Sequence, residues 1–180
     1  SFDRHIGIIP VKGELLNKMS KYWFSKTKHI IPNHLLSTEK NVALVKRCKP
    51  IMLEIVVRGY ITGSTSTSLW THYKNGERNY SGITLPDGLQ KNQILKQPII
   101  SPTTKGKIDK PISKQEIINE GYLNETDCDF IFKKALELFN YGQSIASNAG
   151  FILVDTKYEF GRDSNGNIIL IDELHTCDSS

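Results

Sequence analysis

Asp155, Lys157 and Glu159 occupy every second position of residues 151–160, and a further acid, Asp172, follows the apolar run 168–171 just beyond Asn165-Gly166. In an extended chain successive side chains point to opposite faces. Phe151, Leu153, Asp155, Lys157 and Glu159 therefore share one face, with Ile152, Val154, Thr156, Tyr158 and Phe160 on the other. Residues 163–167 read as a hairpin loop and 168–173 as the returning strand, on which Ile168, Leu170 and Asp172 form one face. The turn is expected to bring Asp172 beside the charged row, so that three carboxylates and one lysine converge. Mg²⁺ takes carboxylate oxygens together with substrate phosphates, and a lysine answers phosphate charge, so the set suits a nucleotide-metal site. The competing reading is a solvated face with weak cross-strand ion pairs. Against it, residues 168–171 look buried on both faces, and an acid that ends such a strand needs a partner to offset its desolvation.

Arg58 follows Ile55-Val56-Val57 in a chain whose basic residues are mostly Lys, and its planar fork fits phosphate or carboxylate. An edge-strand Arg reaching to water explains it equally well. Ser64, beside Gly63, is placed to cap a short helix through Trp70 and Tyr73, and such a start could also receive an anion. Lys105, in Ser101-Pro102-Thr103-Thr104-Lys105-Gly106, resembles a phosphate-reaching loop without its full glycine pattern, so a solvated loop lysine is the simpler account. His175 has no second His at metal-ligand spacing, which argues against zinc.

These residues need elements to hold them. Apolar residues at helical spacing predict a helix from Gly13 to Phe24 and a longer one from about Thr126 to Asn148, closed by Gly150. Ser113-Lys114-Gln115-Glu116 is a capping box opening a short helix. Residues 42–45 and 51–61 read as strands around a short connection, and 77–104 as hairpin or loop, given their Gly and Pro. With 38% hydrophobic residues, 23 Lys+Arg against 19 Asp+Glu and a net charge of +4, the composition excludes intrinsic disorder and collagen-like repeats. No stretch approaches the ~18 apolar residues of a membrane helix. The basic residues, 18 Lys and 5 Arg, are scattered rather than striped, so neither nucleic acid nor membrane is an expected partner. Cys48, Cys128 and Cys177 are too few and too widely spaced for a disulfide framework, which points to a reducing, cytoplasmic setting.

Taken together the segments resemble the SAICAR synthetase family. The matching pieces are Ser1-Phe2-Asp3, residues 54–64 (EIVVRGYITGS), 85–89 (LPDGL), 101–105 (SPTTK), 153–161 (LVDTKYEFG) and 171–180 (IDELHTCDSS), in family order and across essentially the whole chain. The resemblance implies an α+β, two-lobed ATP-binding fold, distantly similar to kinases and ATP-grasp enzymes. Its hinge would lie near residues 46–51, with the larger lobe from about 52 to 180. It also implies an ATP-dependent ligase joining L-aspartate to the carboxylate of carboxyaminoimidazole ribotide, active as a monomer or homodimer.

Carried over by motif position, Glu159 and Asp172 would hold Mg²⁺, Lys157 would meet the ATP phosphates and Asp155 would orient that lysine. Arg58, Ser64, Lys105 and Asp178 match ribotide-binding positions, Cys48 to Pro50 the adenine-side hinge, and Asp3 and Lys12 positions near the substrate cleft. Cys177 stands where the family usually has Pro, which loosens the turn before Asp178. The family also begins with a Gly/Lys-rich β-lobe over ATP and continues past Ser180 with an Arg that contacts the ribotide. Since the sequence opens without Met and stops in mid-motif, both ends are expected to be cut, and these 180 residues alone to be weakly active or inactive. A nucleotide-binding module without catalysis and a kinase-like phosphotransferase are the alternatives.

Overall fold

The structure, a computed structural model, describes residues 6–106 and 110–180. In chain order its elements are α1 (Lys12–Thr27), β1 (Leu35–Glu39), β2 (Val42–Val45), β3 (Lys49–Ile61), α2 (Leu69–Lys74), β4 (Asn79–Tyr80), β5 (Ile83–Thr84), β6 (Gln93–Thr104), α3 (Lys114–Asn119), α4 (Glu125–Asn148), β7 (Asp155–Arg162) and β8 (Ile168–Ile171). The principal sheet has the antiparallel order β6-β3-β7-β8, and β1-β2 and β4-β5 form separate two-stranded sheets. The fold is therefore α+β.

β3 alternates cleanly. Leu53, Ile55 and Val57 are buried, while Glu54, Val56 and Arg58 face the other way and stay half-buried. The buried side meets Ile131, Ala135, Leu138 and Phe139, spaced along α4 at three and four, together with Tyr158, Phe160 and Leu170 from the neighbouring strands. Phe24 of α1 joins the same core. A smaller core of Ile61, Leu69, Tyr73, Tyr80, Leu85 and Leu95 secures α2 and the β4-β5 hairpin. One face of the principal sheet is thus covered, and the other is left to polar residues.

Several local expectations hold: α1, the capping box at Ser113 and Glu116, α4, and the 163–167 turn, where Asp163 Oδ1 accepts from the backbone N–H of Asn165 and Asn167. Others change. β2 pairs with β1 instead of β3; residues 35–39, which form β1, carry no periodic apolar signature in the sequence. The stretch read as hairpin or loop does hold the β4-β5 hairpin, but it also contains β6, a twelve-residue strand. Its Pro98 and Pro102 are tolerated because β6 is an edge strand, and the register with β3 shifts between Arg58 and Tyr60. β3 is consequently interior, so Arg58 is no edge residue. α2 starts at Leu69 with Ser68 before it, so Ser64 caps nothing. β7 begins at Asp155, four residues later than expected, with Phe151 and Ile152 exposed ahead of it.

Candidate active site

The open face of the principal sheet assembles the charged residues by register. Arg58 on β3 stands opposite Asp155 on β7, Val56 opposite Lys157, and Glu54 opposite Glu159. Two carboxylates directly across a strand pair repel. The lysines resolve that repulsion. Lys157 Nζ lies 3.2 Å from Glu159 Oε1, 3.1 Å from Asp172 Oδ2 and 3.6 Å from Glu54 Oε1, and Lys105 Nζ lies 2.5 Å from Glu159 Oε2. Glu159 is buried, at 5% exposure, so its two lysines are what make its charge tolerable there. Burial works against the ammonium of Lys157. The charge of Asp172, its hydrogen bond, the charge of Glu54 and the hydrogen bond to Glu159 together outweigh this and raise its pKa.

Asp172 arrives by a route other than strand alternation. β8 ends at Ile171, which pairs with Glu159, so continued alternation would carry residue 172 to the covered side with Leu170. Instead Asp172 takes φ 65°, the left-handed region that Asp enters more readily than most residues, and its carboxylate turns back to Lys157. It is exposed, so the burial argument applies to Glu159 and not to Asp172. Asp155 also departs from expectation. Its Oδ2 lies 3.3 Å from Arg58 Nη1, and no contact links it to Lys157 among the described residues. The position expected of Asp155 beside that lysine is held by Glu54, which shares the Arg58 face of β3.

The side chain of Arg58 is 11% exposed and donates from Nε to Ser101 Oγ at 2.8 Å, so β6 and β7 grip its fork from both sides. Neither Ser101 nor Glu54 carries a functional signal in the sequence, and reading 77–104 as hairpin or loop hides the strand that holds Ser101. Lys105, just past β6, reaches the cluster through Glu159. Lys12 Nζ meets Asp178 Oδ2 at 2.7 Å, joining the start of α1 to the segment after β8. Cys48 to Pro50 open β3 across from Gly161 and Arg162. A Cβ on Gly161 would stand 3.1 Å from Lys49 O, 3.2 Å from Ile171 Cδ1 and 3.3 Å from Cys48 Cβ, so only glycine leaves this close contact two residues beyond Glu159 undisturbed. Burial, with the charge of Asp163, pushes the Cys48 thiol up despite Lys46. Ser64 is exposed in the β3-α2 connection, and no hydrogen bond or ion pair ties it to the cluster among the described residues. Asp3 lies outside the described residues.

No group of three or more His, Cys, Asp or Glu side chains among the described residues forms a ready metal cage. Mg²⁺ does not need one, since it binds through one or two carboxylates, water and substrate phosphate. Glu159 and Asp172, both drawn to one ammonium, supply hard oxygen donors of that kind.

The family model described as SAICAR synthetase matches residues 1–180. The phosphoribosylaminoimidazole-succinocarboxamide synthase of Legionella pneumophila (strain Lens) is 55% identical over 182 residues, which cover 100% of this chain and 58% of that protein. The chain thus spans little more than half the length of that curated relative. A solved SAICAR-synthase from Saccharomyces cerevisiae complexed with SAICAR superposes with a TM-score of 0.85 at 33% identity, over 97% of this chain and 63% of that one. A type-2 SAICAR synthetase in complex with ADP superposes with a TM-score of 0.77 at 26% identity, over 93% and 66%.

Proposed function

The chain belongs to the SAICAR synthetase family, and on that premise we propose that it is the main part of a cytoplasmic ligase. The reaction consumes ATP and joins L-aspartate to the carboxylate of carboxyaminoimidazole ribotide. The observation that carries the reading is the cradle in which Glu54, Glu159 and Asp172 surround the Lys157 ammonium, with Arg58 held rigid on the same sheet face. Relatives of this family bind SAICAR and ADP, ligands that such a face would accommodate.

A carboxylate is a poor acyl donor. Attack of its oxygen on the γ-phosphorus of ATP releases ADP and leaves an acyl phosphate. The aspartate amine then attacks the acyl carbon, the C–N bond forms and phosphate departs. The protein's task is alignment and charge neutralisation. Glu159 and Asp172 would hold Mg²⁺, which when bound neutralises phosphate charge. Lys157, already cationic and aimed by three carboxylates, meets the phosphoryl oxygens. Arg58, fixed by Ser101 and Asp155, offers its remaining N–H groups to the ribotide phosphate or carboxylate, and Asp155 positions Arg58. Lys105 and the Lys12–Asp178 pair border the ribotide, and by motif position Ser64 and Asp3 would serve the same substrate. The Cys48–Pro50 stretch, within a hinge at about residues 46–51, lines the adenine side.

The three cysteines, all unpaired, suit a reducing compartment. No described helix is long and apolar enough to cross a membrane. The test is ADP release with ATP, Mg²⁺, the ribotide and L-aspartate, omitting each in turn, on this chain and on a version extended at both ends. Release requiring both ribotide and aspartate is expected. Release indifferent to aspartate would indicate a phosphotransferase, and nucleotide binding without release in the extended form a binding module.

A further inference from the structure

The segment from Asp172 to Ser180 contains no helix or strand, yet it carries two of the site carboxylates. Asp172 at its start holds Lys157, and Asp178 near its end holds Lys12. It runs along the first half of β7, beyond the point where β8 stops: Lys157 N–H donates to Ser179 O at 3.1 Å and Thr156 Oγ1 donates to the same oxygen at 3.0 Å. Between those carboxylates the chain drives a single imidazole to the covered side. His175 is buried in the left-handed region at φ 48°, its ring edge-on to Trp23 with centroids 4.7 Å apart. Its Nε2 lies 2.6 Å from the hydroxyl of Tyr158. Gly142 of α4 makes room for it, since a Cβ there would stand 2.4 Å from His175 Cε1. Burial lowers the imidazole pKa to about 4, so the ring is neutral near pH 7.

Tyr158 sits between Lys157 and Glu159 and points through the sheet to the opposite side, where it is fully buried. We infer that Tyr158 and His175 are positioning residues whose hydrogen bond, beneath the sheet, fixes where Asp172 and Asp178 stand relative to Lys157 and Glu159 above it. Among the described residues His175 Nδ1 is buried without a partner, so there the ring's polar tie runs through Nε2. That asymmetry makes the inference testable, because glutamine reproduces an atom at the Nε2 position whereas asparagine reproduces Nδ1. The consequence for turnover rests on the ligase reading, but the pin itself does not. A displacement of about 1 Å in such a constellation lowers a rate by about a hundredfold.

The experiment compares Tyr158→Phe, His175→Gln, His175→Asn and His175→Leu in the full-length protein by two readouts. The first is amide hydrogen exchange at Lys157, whose N–H reports the docking of Ser179. The second is ADP release with all substrates, resolved into kcat and KM for ATP. Tyr158→Phe keeps the buried ring, so it folds even where the Leu variant fails. The expected result is exchange about tenfold faster and kcat at least tenfold lower in Tyr158→Phe, His175→Asn and His175→Leu. KM for ATP should stay within about twofold, and His175→Gln should be close to wild type in both readouts. Unchanged exchange in Tyr158→Phe, or a Gln variant as impaired as Asn, would overturn the pin. Faster exchange with unchanged kcat would overturn the positioning role. Wild type without aspartate-dependent release would count against the ligase reading alone, and the exchange result would still decide the pin.

Discussion

Lys157→Met removes one ammonium and leaves three carboxylates facing each other, with Lys105 as the remaining cation among the described residues. In the native protein Lys157 Nζ stands 3.1 to 3.6 Å from Asp172, Glu159 and Glu54. Each contact is an attraction of about 5 kcal/mol at an effective dielectric of about 20, against which the desolvation of the ammonium must be set. Removing one partner of a buried pair costs about 3–5 kcal/mol. The lower figure applies here, because the side chains of Lys157 and Asp172 are 31% and 40% exposed and water screens them. The expected loss is about 3 kcal/mol near pH 8, a fall in Tm of roughly 6–12 °C for a chain of this size.

The pH dependence is the sharper test. A lysine whose folded pKa is raised contributes stability fully present below its unfolded value of about 10.4, lost only as pH rises through the higher folded value. The wild-type contribution is therefore flat between pH 5 and 8. The deficit of the variant is therefore expected to be the same at pH 5 and pH 8. Urea unfolding of both proteins at pH 5 and 8 measures this. A deficit that differs by more than half between the two pH values, or one below about 0.5 kcal/mol at pH 8, would refute the account of the cluster.

Three further outcomes follow from the same geometry. Asp172→Asn should abolish Mg²⁺-dependent turnover while leaving Tm within a few degrees, because this carboxylate is exposed; titrating Mg²⁺ against ADP release checks it. Arg58→Lys should raise KM for the ribotide about tenfold or more and spare ATP binding, since an ammonium cannot replace a fork gripped by both Ser101 and Asp155; steady-state kinetics with each substrate varied separate the two. Gly59→Ala should destabilise by about 1–3 kcal/mol, as overpacking does. Its Cβ would meet Gln143 Nε2 at 2.8 Å and the Phe139 ring at 3.2 Å, and thermal denaturation reads the loss.

Much of this protein is written in local pattern. The 3.6-residue period exposed α1 and α4, the capping box at Ser113 and Glu116 announced α3, and the period-two runs gave β3 and the charged face of β7 before any partner was known. These features depend on the backbone's own geometry, so a window of ten residues contains the information. Pairing does not. That β6 flanks β3 despite two prolines, that β2 turns back to β1, and that Glu54 rather than Asp155 completes the cradle around Lys157 are consequences of register between segments up to about a hundred residues apart. Asp172 shows the division within one residue. Its type and place after a buried run marked it from sequence, but alternation alone would have sent it to the covered side of the sheet. Its side chain reaches Lys157 because the strand ends one residue earlier and the backbone turns left-handed, at the head of a segment fastened by His175 to Tyr158. Residue type sets which charges a chain carries, and the packed sheet alone decides which of them share a neighbour.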